Sequence, residues 1–408
     1  MRHRLDRRAF GRGAAAAGAW LAAGGLHRLR AQTAPLRIGV LLPRSGFEAL
    51  IGQGCQRGYD IAVPILRDMG YAVELMNADT ESKPDVARTQ AEKLIREGAN
   101  MLSGAWDSGQ TAAVAQVSEQ HGVPLVINIG ADPKITEQGY RYVFRNFPTA
   151  VMLASGALSL IKDLFEATGT TPKTAVLMAV NDTFGQAAQN AFGVLIPKLG
   201  MPFRLVETIS YDPQARDLSV EVAKAKAAGA ELHLSVTRLN DGILMVREMV
   251  KQRYEPMGVI SPGAPGFYER QFIKTLGKYA EYCFSNNAWM DPNQELTKTA
   301  ESVFARTFPE DPFDLNVGFS FEAVLIAADA HRRAGSINPQ ALVEALRTTN
   351  IAKRVMIGGA IHFDAKGQNV DNRLASLQIR NGRPTVVLPA ANAQAKPIFP
   401  VPGWSQRT

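Results

Sequence analysis

Leu36-Arg37-Ile38-Gly39-Val40-Leu41-Leu42-Pro43, residues 36–43, is a short apolar run, partly β-branched, that stops at a proline. Such a run reads as a buried strand of a parallel sheet. Working outward, residues 54–69 place Tyr59, Ala62, Val63 and Leu66 at helical spacing, with a kink expected at Pro64. Residues 72–77 form the next strand, and 85–97 an amphipathic helix with Ala87, Ala91, Leu94 and Ile95 on one face. A strand at 100–104, a helix at 111–121 and a strand at 124–128 follow. This alternation predicts a parallel sheet with right-handed crossovers and helices on both faces.

After Phe147-Pro148 the pattern restarts. Helices are expected at 151–167, 182–199, 218–228 and 241–253, and strands at 174–180, 202–209 and 231–236. The expectation is two similar α/β units in succession. Ligands of open parallel sheets sit outside the carboxyl ends of the strands, so two units with those ends facing each other enclose a cleft.

The 408-residue length agrees with two domains, and 46% hydrophobic with 20% charged residues excludes a disordered chain. Two cysteines, Cys55 and Cys283, exclude a disulfide scaffold or a zinc cluster, and read better as unpaired structural thiols than as a bridge. The net charge of +7 and pI near 9.4 invite a nucleic-acid reading until the charge is located. Arg2, Arg4, Arg7, Arg8 and Arg12 precede a run of small and apolar residues at 13–26, followed by Arg28, Arg30 and Ala31. That is a charged start, a hydrophobic stretch too short to span a bilayer and a small residue for cleavage. Within it, Asp6-Arg7-Arg8-Ala9-Phe10 resembles the twin-arginine export signal. Residues 1–31 are therefore expected to be a twin-arginine-type signal peptide; a basic amphipathic arm is the other reading. Removing seven arginines and one aspartate from 45 basic and 38 acidic residues leaves 38 and 37, a net of +1. No basic stripe remains, so no nucleic-acid partner is expected, and the mature protein is expected in the periplasm.

Enzyme motifs are missing: there is no Walker-A sequence, HExxH or GxSxG. Gly52-Gln53-Gly54-Cys55-Gln56-Arg57-Gly58 is similar to a dinucleotide fingerprint, but it has one residue too many and begins about ten residues after its strand. Asp79 and Glu81 read as solvated loop acids. Neither catalysis, a cofactor nor a metal is expected.

The chain resembles the branched-chain amino-acid-binding (Leu/Ile/Val-binding) group of type I periplasmic solute-binding proteins of ABC importers. The resemblance runs from Ile38-Gly39-Val40-Leu41-Leu42-Pro43-x-Ser45-Gly46 to Ile361-His362-Phe363-Asp364-Ala365-Lys366-Gly367-Gln368. Between these lie Gly104-x-x-x-Ser108-x-x-Thr111, Ala115-x-x-x-Glu119-x-x-Gly122-Val123-Pro124, Tyr142-Val143-Phe144-Arg145 and Asn181-Asp182-Thr183-Phe184-Gly185. It implies a two-lobed α/β fold, each lobe a doubly wound, mostly parallel sheet, with the ligand cleft between them. The implied lobes are 36–147 plus 290–357 and 148–289 plus 358–408, joined by three crossovers. The implied role is solute capture by hinge closure, with a small-molecule solute and an inner-membrane ABC permease as partners, and a monomeric receptor. A sensing receptor of the same fold, of amide or urea type, is the alternative; a secreted enzyme is a further one.

The site expected from the residues and the resemblance starts at Asp107-Ser108-Gly109, before a helix near Thr111, where free N–H groups and the Ser108 hydroxyl suit a carboxylate or carbonyl oxygen. Capping of the helix by Asp107 or Ser108 is the competing role. Ile129, Gly130, Ala131 and Asp132 form the facing wall, Trp106 a stacking surface or a core residue, and Arg238 a bidentate carboxylate clamp or a solvated surface group. Arg44, Thr111, Phe184 and Gly263 complete the expected set. Two positions depart from the amino-acid binders: Ala131 stands where they place a threonine for the carboxylate, and Gly263 where they place a glutamate for the α-ammonium. An aromatic or aliphatic carboxylate or an amide is therefore at least as good a candidate as leucine or valine.

Overall fold

A computed structural model of the chain describes residues 34–291 and 293–408. The expected signal peptide lies outside the described residues. The strand that opened the reading is β1 (Leu36–Leu42), followed by α1 (Ala49–Asp68), β2 (Val73–Asp79), α2 (Pro84–Arg96), β3 (Met101–Gly104), α3 (Ser108–His121), β4 (Leu125–Ile127) and β5 (Val143–Arg145). These five strands form one parallel sheet in the order β2-β1-β3-β4-β5. Then come α4 (Ala150–Thr168), β6 (Thr174–Val180), α5 (Thr183–Lys198), β7 (Arg204–Tyr211), α6 (Ser219–Ala227), β8 (Leu232–Val236), α7 (Leu239–Lys251), β9 (Gly258–Pro262), α8 (Arg270–Leu276) and β10 (Phe284–Ala288). Last are α9 (Glu295–Thr307), α10 (Leu315–Ala334), α11 (Pro339–Arg347), β11 (Leu374–Arg380) and β12 (Arg383–Leu388).

The second sheet has seven strands in the order β12-β11-β10-β9-β8-β6-β7. It is parallel from β7 to β10, and β11 and β12 add an antiparallel edge. The helix α10 packs on α1, β1, β3 and β4 of the first lobe, although it follows β10 of the second in sequence. Its buried residues include Phe319, Phe321, Val324, Leu325 and Ile326, and the apolar faces all round mark it as an interior helix.

The helix α1 begins at Ala49, five residues before the expected start, so Gly52, Gly54 and Gly58 all lie inside it. A Cβ on Gly58 would stand 2.4 Å from the Val317 carbonyl oxygen of α10. That glycine serves close helix packing and not a phosphate. Cys55 and Cys283 are both free and buried.

A buried polar hub lies where the lobes join. Glu322 of α10 accepts from Nη2 of Arg354 at 2.9 Å, from the backbone N–H groups of Val355 and Met356 at 2.8 Å each, and from Asn146 at 2.7 Å. Arg145 donates to the carbonyls of Gly130 and Asp132 and to Gln368. Among the described residues no helix is long and apolar enough to cross a membrane.

Candidate functional site

The carboxyl ends of β3 and β4 in the first sheet face those of β6, β8, β9 and β10 in the second. Between them lies a cavity with about 380 Å³ of empty space, its mouth included. The first lobe lines it with Trp106, Asp107, Ser108, Ile129, Ala131, Leu315 and Asn316. The second supplies Phe184, Arg238, Gly263, Pro265, Tyr268 and Asn287, and Phe147 comes from the connecting segment. Four aromatic side chains, Trp106, Phe147, Phe184 and Tyr268, make the walls flat and apolar.

The helix α3 starts at Ser108, three residues earlier than expected, because Asp107 is its cap: Oδ1 accepts from the Gln110 N–H at 3.0 Å. Ser108 is therefore in the first turn and does not cap. Its hydroxyl oxygen instead accepts from the N–H groups of Ala131 at 3.0 Å and Asp132 at 3.2 Å. Both lone pairs are thereby used, and the one hydroxyl hydrogen is the group left to give. Ser108 thus holds the β4 loop in place and offers a single donor at the cavity wall.

Arg238, at the N-cap of α7, is 7% exposed, so the surface reading is corrected. The bidentate-clamp expectation is corrected as well, because Nε donates to Asp182 at 3.0 Å and Nη2 to Asp107 at 2.7 Å and Asp182 at 2.6 Å. Only Nη1 carries no hydrogen bond among the described residues. Glu48 stands 3.6 Å from Nε, and the rings of Trp106 and Phe184 lie 5.1 and 5.4 Å from the guanidinium carbon. Burial works against this cation, but Asp182, Asp107 and Glu48 together outweigh it and raise its pKa. Burial, then repulsion from Asp107, pushes the Glu48 carboxyl up to about 8, against the opposing pull of Arg238. Gln110 donates to Glu48 at 2.6 Å and accepts from Thr80. Asp107 and Glu48 belong to the first lobe and Arg238 to the second, so this cluster ties the lobes together.

Trp106 lines the cavity at 4% exposure, and its indole N–H donates to Asn316 Oδ1 at 3.1 Å. Gly263 has φ +80°, and a Cβ there would stand 2.7 Å from the Leu153 Cβ. A glutamate at this position would be strained and crowded.

Four expected residues do not line the cavity. Arg44 is half-buried in the loop after β1, its backbone N–H bound to Asp79. The Thr111 hydroxyl donates to the Asp107 carbonyl at 2.6 Å, which secures the turn from beneath. Gly130 and Asp132 give their carbonyls to Arg145, and the Asp132 carboxylate caps the short turn that follows it. Sequence reasoning missed Phe147, Pro265, Tyr268, Asn287, Leu315 and Asn316. A signal existed for the last pair: Asp314 caps α10 through the N–H groups of Asn316 and Val317, and an Asp before an apolar run marks a helix start.

The sequence profile of the periplasmic binding protein family matches residues 35–384. Leu/Ile/Val-binding protein homolog 8 of Brucella abortus (strain 2308) is 24% identical over 388 residues, covering 90% of this chain and 94% of the relative. The leucine binding protein LivK of Thermotoga maritima shares the fold with a TM-score of 0.75 at 19% identity, covering 86% of this chain and 97% of that one. An ABC-transporter solute binding protein of Rhodopseudomonas palustris BisB5, in complex with 3,4-dihydroxy benzoic acid, has a TM-score of 0.73 at 17% identity, covering 86% and 95%. With its two facing sheets and the cavity between them, the chain belongs to the periplasmic binding protein family and has the two-lobed fold of that family's leucine-binding members.

Proposed function

We propose that the protein is the extracytoplasmic solute receptor of an ABC importer, working in the periplasm after removal of its export signal and delivering its solute to an inner-membrane permease. The lobes are drawn at 36–147 plus 290–357 and 148–289 plus 358–408. Ligand contacts both walls, so it favours the closed arrangement, which the permease then reads. The protein needs no chemistry for this.

The solute is a small, mostly apolar molecule, aromatic or aliphatic, with one carboxylate or carboxamide. The aromatic walls carry this reading: Trp106, Phe147, Phe184 and Tyr268 surround the cavity and Ser108 gives one neutral donor beside the first turn of α3. Carboxylate and amide oxygens are both served by a helix N-terminus. Ala131 and Gly263 supply neither a hydroxyl nor an acid for an α-amino acid. The solved relative that holds 3,4-dihydroxy benzoic acid supports an aromatic acid as one member of this class.

A thermal-shift panel of aromatic acids, short aliphatic acids, the matching amides and the branched-chain amino acids tests this. Acids or amides should raise the melting temperature by mass action on the folded state. A shift by leucine, isoleucine and valine alone refutes the ligand class.

A further inference from the structure

The seven-stranded lobe brings one unsatisfied polar atom to the cavity. Strand β10 carries two consecutive asparagines, Asn286 and Asn287, exposed by only 1% and 2%. Neighbouring side chains on a strand point to opposite faces, and the two behave differently. Asn286 is engaged at both ends, with Nδ2 donating to the Ala157 carbonyl at 3.2 Å and Oδ1 accepting from the Ser376 hydroxyl at 3.0 Å. Asn287 is half satisfied: Nδ2 donates to the Ala264 carbonyl at 2.9 Å. A carbonyl only accepts, so this bond fixes which way the amide is turned. The Asn287 oxygen then faces away from Ala264, carries no hydrogen bond among the described residues, and belongs to a side chain that lines the cavity.

Of the other side chains this lobe presents to the cavity, only Tyr268 carries an oxygen that can accept. Phe184, Gly263 and Pro265 have no side-chain acceptor, and the Arg238 guanidinium only donates. Tyr268 has a hydroxyl that burial, and then Glu269, keeps protonated, so it can give a hydrogen bond as well as accept one, whereas the Asn287 oxygen can only accept. The Asn287 oxygen is not sealed from water, so cavity water meets it until a solute donor takes its place.

We propose that Asn287 is a specificity-determining residue whose Oδ1 accepts a hydrogen bond from a hydroxyl or N–H of the solute. The cognate solute is then an acid or amide with a second, donor-bearing group directed at the seven-stranded lobe, while Ser108 serves the first. This rests on the solute class proposed above and narrows it. A site built to bond a ligand hydroxyl discriminates strongly against the analogue that lacks it, because its own polar atom is left bare.

The test is calorimetric titration of the mature chain with matched sets differing by one donor. The sets are benzoate with its 3- and 4-hydroxy and methoxy derivatives, benzamide with its hydroxy derivatives, and butyrate with its hydroxy derivatives. At least one hydroxylated member should bind about tenfold or more tightly than its unsubstituted and methoxy partners. In Asn287→Leu that preference should fall below threefold. Comparison of ligands on the unaltered protein keeps the test open if the variant fails to fold. Unsubstituted members that bind as well as hydroxylated ones, or a preference that survives in Asn287→Leu, overturn the role of Asn287 alone. No binding by any member of any set overturns the solute class and this inference together.

Discussion

Replacing Asp107 by Asn separates two jobs that one carboxylate performs. Oδ1 caps α3, and Oδ2 accepts one hydrogen bond from Arg238 Nη2 of the other lobe at 2.7 Å. Asparagine caps a helix about as well as aspartate, so the variant keeps the helix start and loses the charge. With its oxygen retained by the cap, the new amide nitrogen faces the guanidinium, donor against donor. Removing one partner of a fully buried pair costs about 3–5 kcal/mol. The side chains of Asp107 and Arg238 keep 12% and 9% exposure, and Arg238 retains Asp182, which reduces the loss. About 2 kcal/mol remains, and because the contact crosses the cleft it is lost from the closed arrangement alone, or about 30-fold in solute affinity. Titration of Asp107→Asn with the tightest acid or amide of the panel should show that loss, while the ligand-free melting temperature moves by only a degree or two. Asp107→Asn combined with Arg238→Met completes a double-mutant cycle, and the two effects should not add. An affinity change below threefold in Asp107→Asn, or strict additivity in the cycle, refutes the claim that this ion pair holds the lobes together.

Two other outcomes follow from the same wall. Ser108→Ala leaves the N–H groups of Ala131 and Asp132 without their acceptor, which costs about 1–3 kcal/mol for a buried donor; the ligand-free melting temperature should fall by several degrees alongside affinity, and an unchanged melting temperature would show that the hydroxyl does not hold the β4 loop. Glu48, pushed up to about 8 by burial and Asp107, keeps a proton in the folded chain that the unfolded chain releases near 4.5. The folded state binds more protons between those values, so this group's contribution to stability falls as pH rises from about 4.5 to 8 and is flat beyond. Glu48→Gln should match the parent in melting temperature near pH 5 and exceed it near pH 9; a slope that persists unchanged in the variant would assign the effect to other acids, such as Asp314.

The parallel strands were legible because each is a compact apolar run bounded by turn residues. The run at 174–180 was read to the residue. The helices were legible from spacing, and the expected starts at 85, 151, 182, 218 and 241 fall within two residues of the observed ones, but α1 and α3 begin five and three residues early. The start of α3 is set by the polar cap of Asp107, which apolar spacing does not reveal. In the site, Trp106, Asp107, Ser108, Ile129 and Ala131 were found because they sit in the loops that directly follow β3 and β4. Leu315, Asn316 and Asn287 were not, because α10 and β10 reach the cavity through connections no periodicity reveals. Arg44, Thr111, Gly130 and Asp132 were assigned by adjacency alone. Adjacent residues point different ways: Thr111, Gly130 and Asp132 hold the turns that carry the lining residues, and Arg44 sits in a loop that does not reach the cavity.

The division of charge in the cleft bears on which solutes can enter it. Arg238 is largely neutralised by Asp182 and Asp107 before any ligand arrives, and Glu48 is protonated at pH 7. An α-ammonium would meet no uncommitted carboxylate: Asp107 is divided between a cap and Arg238, and Asp182 between Arg238 and the Gly185 N–H. A desolvated cation without a partner costs several kcal/mol. A carboxylate would find the Ser108 hydroxyl, the first N–H groups of α3 and Nη1 of Arg238, but would also stand near Asp107. An amide meets the same donors without that repulsion. Raising the ionic strength should therefore leave amide binding nearly unchanged and alter acid binding modestly, since Asp107 and Arg238 are largely buried and buried charges are little screened. The ratio between a benzoate-type acid and its amide consequently measures the net field of Asp107 and Arg238, and Asp107→Asn should shift that ratio toward the acid.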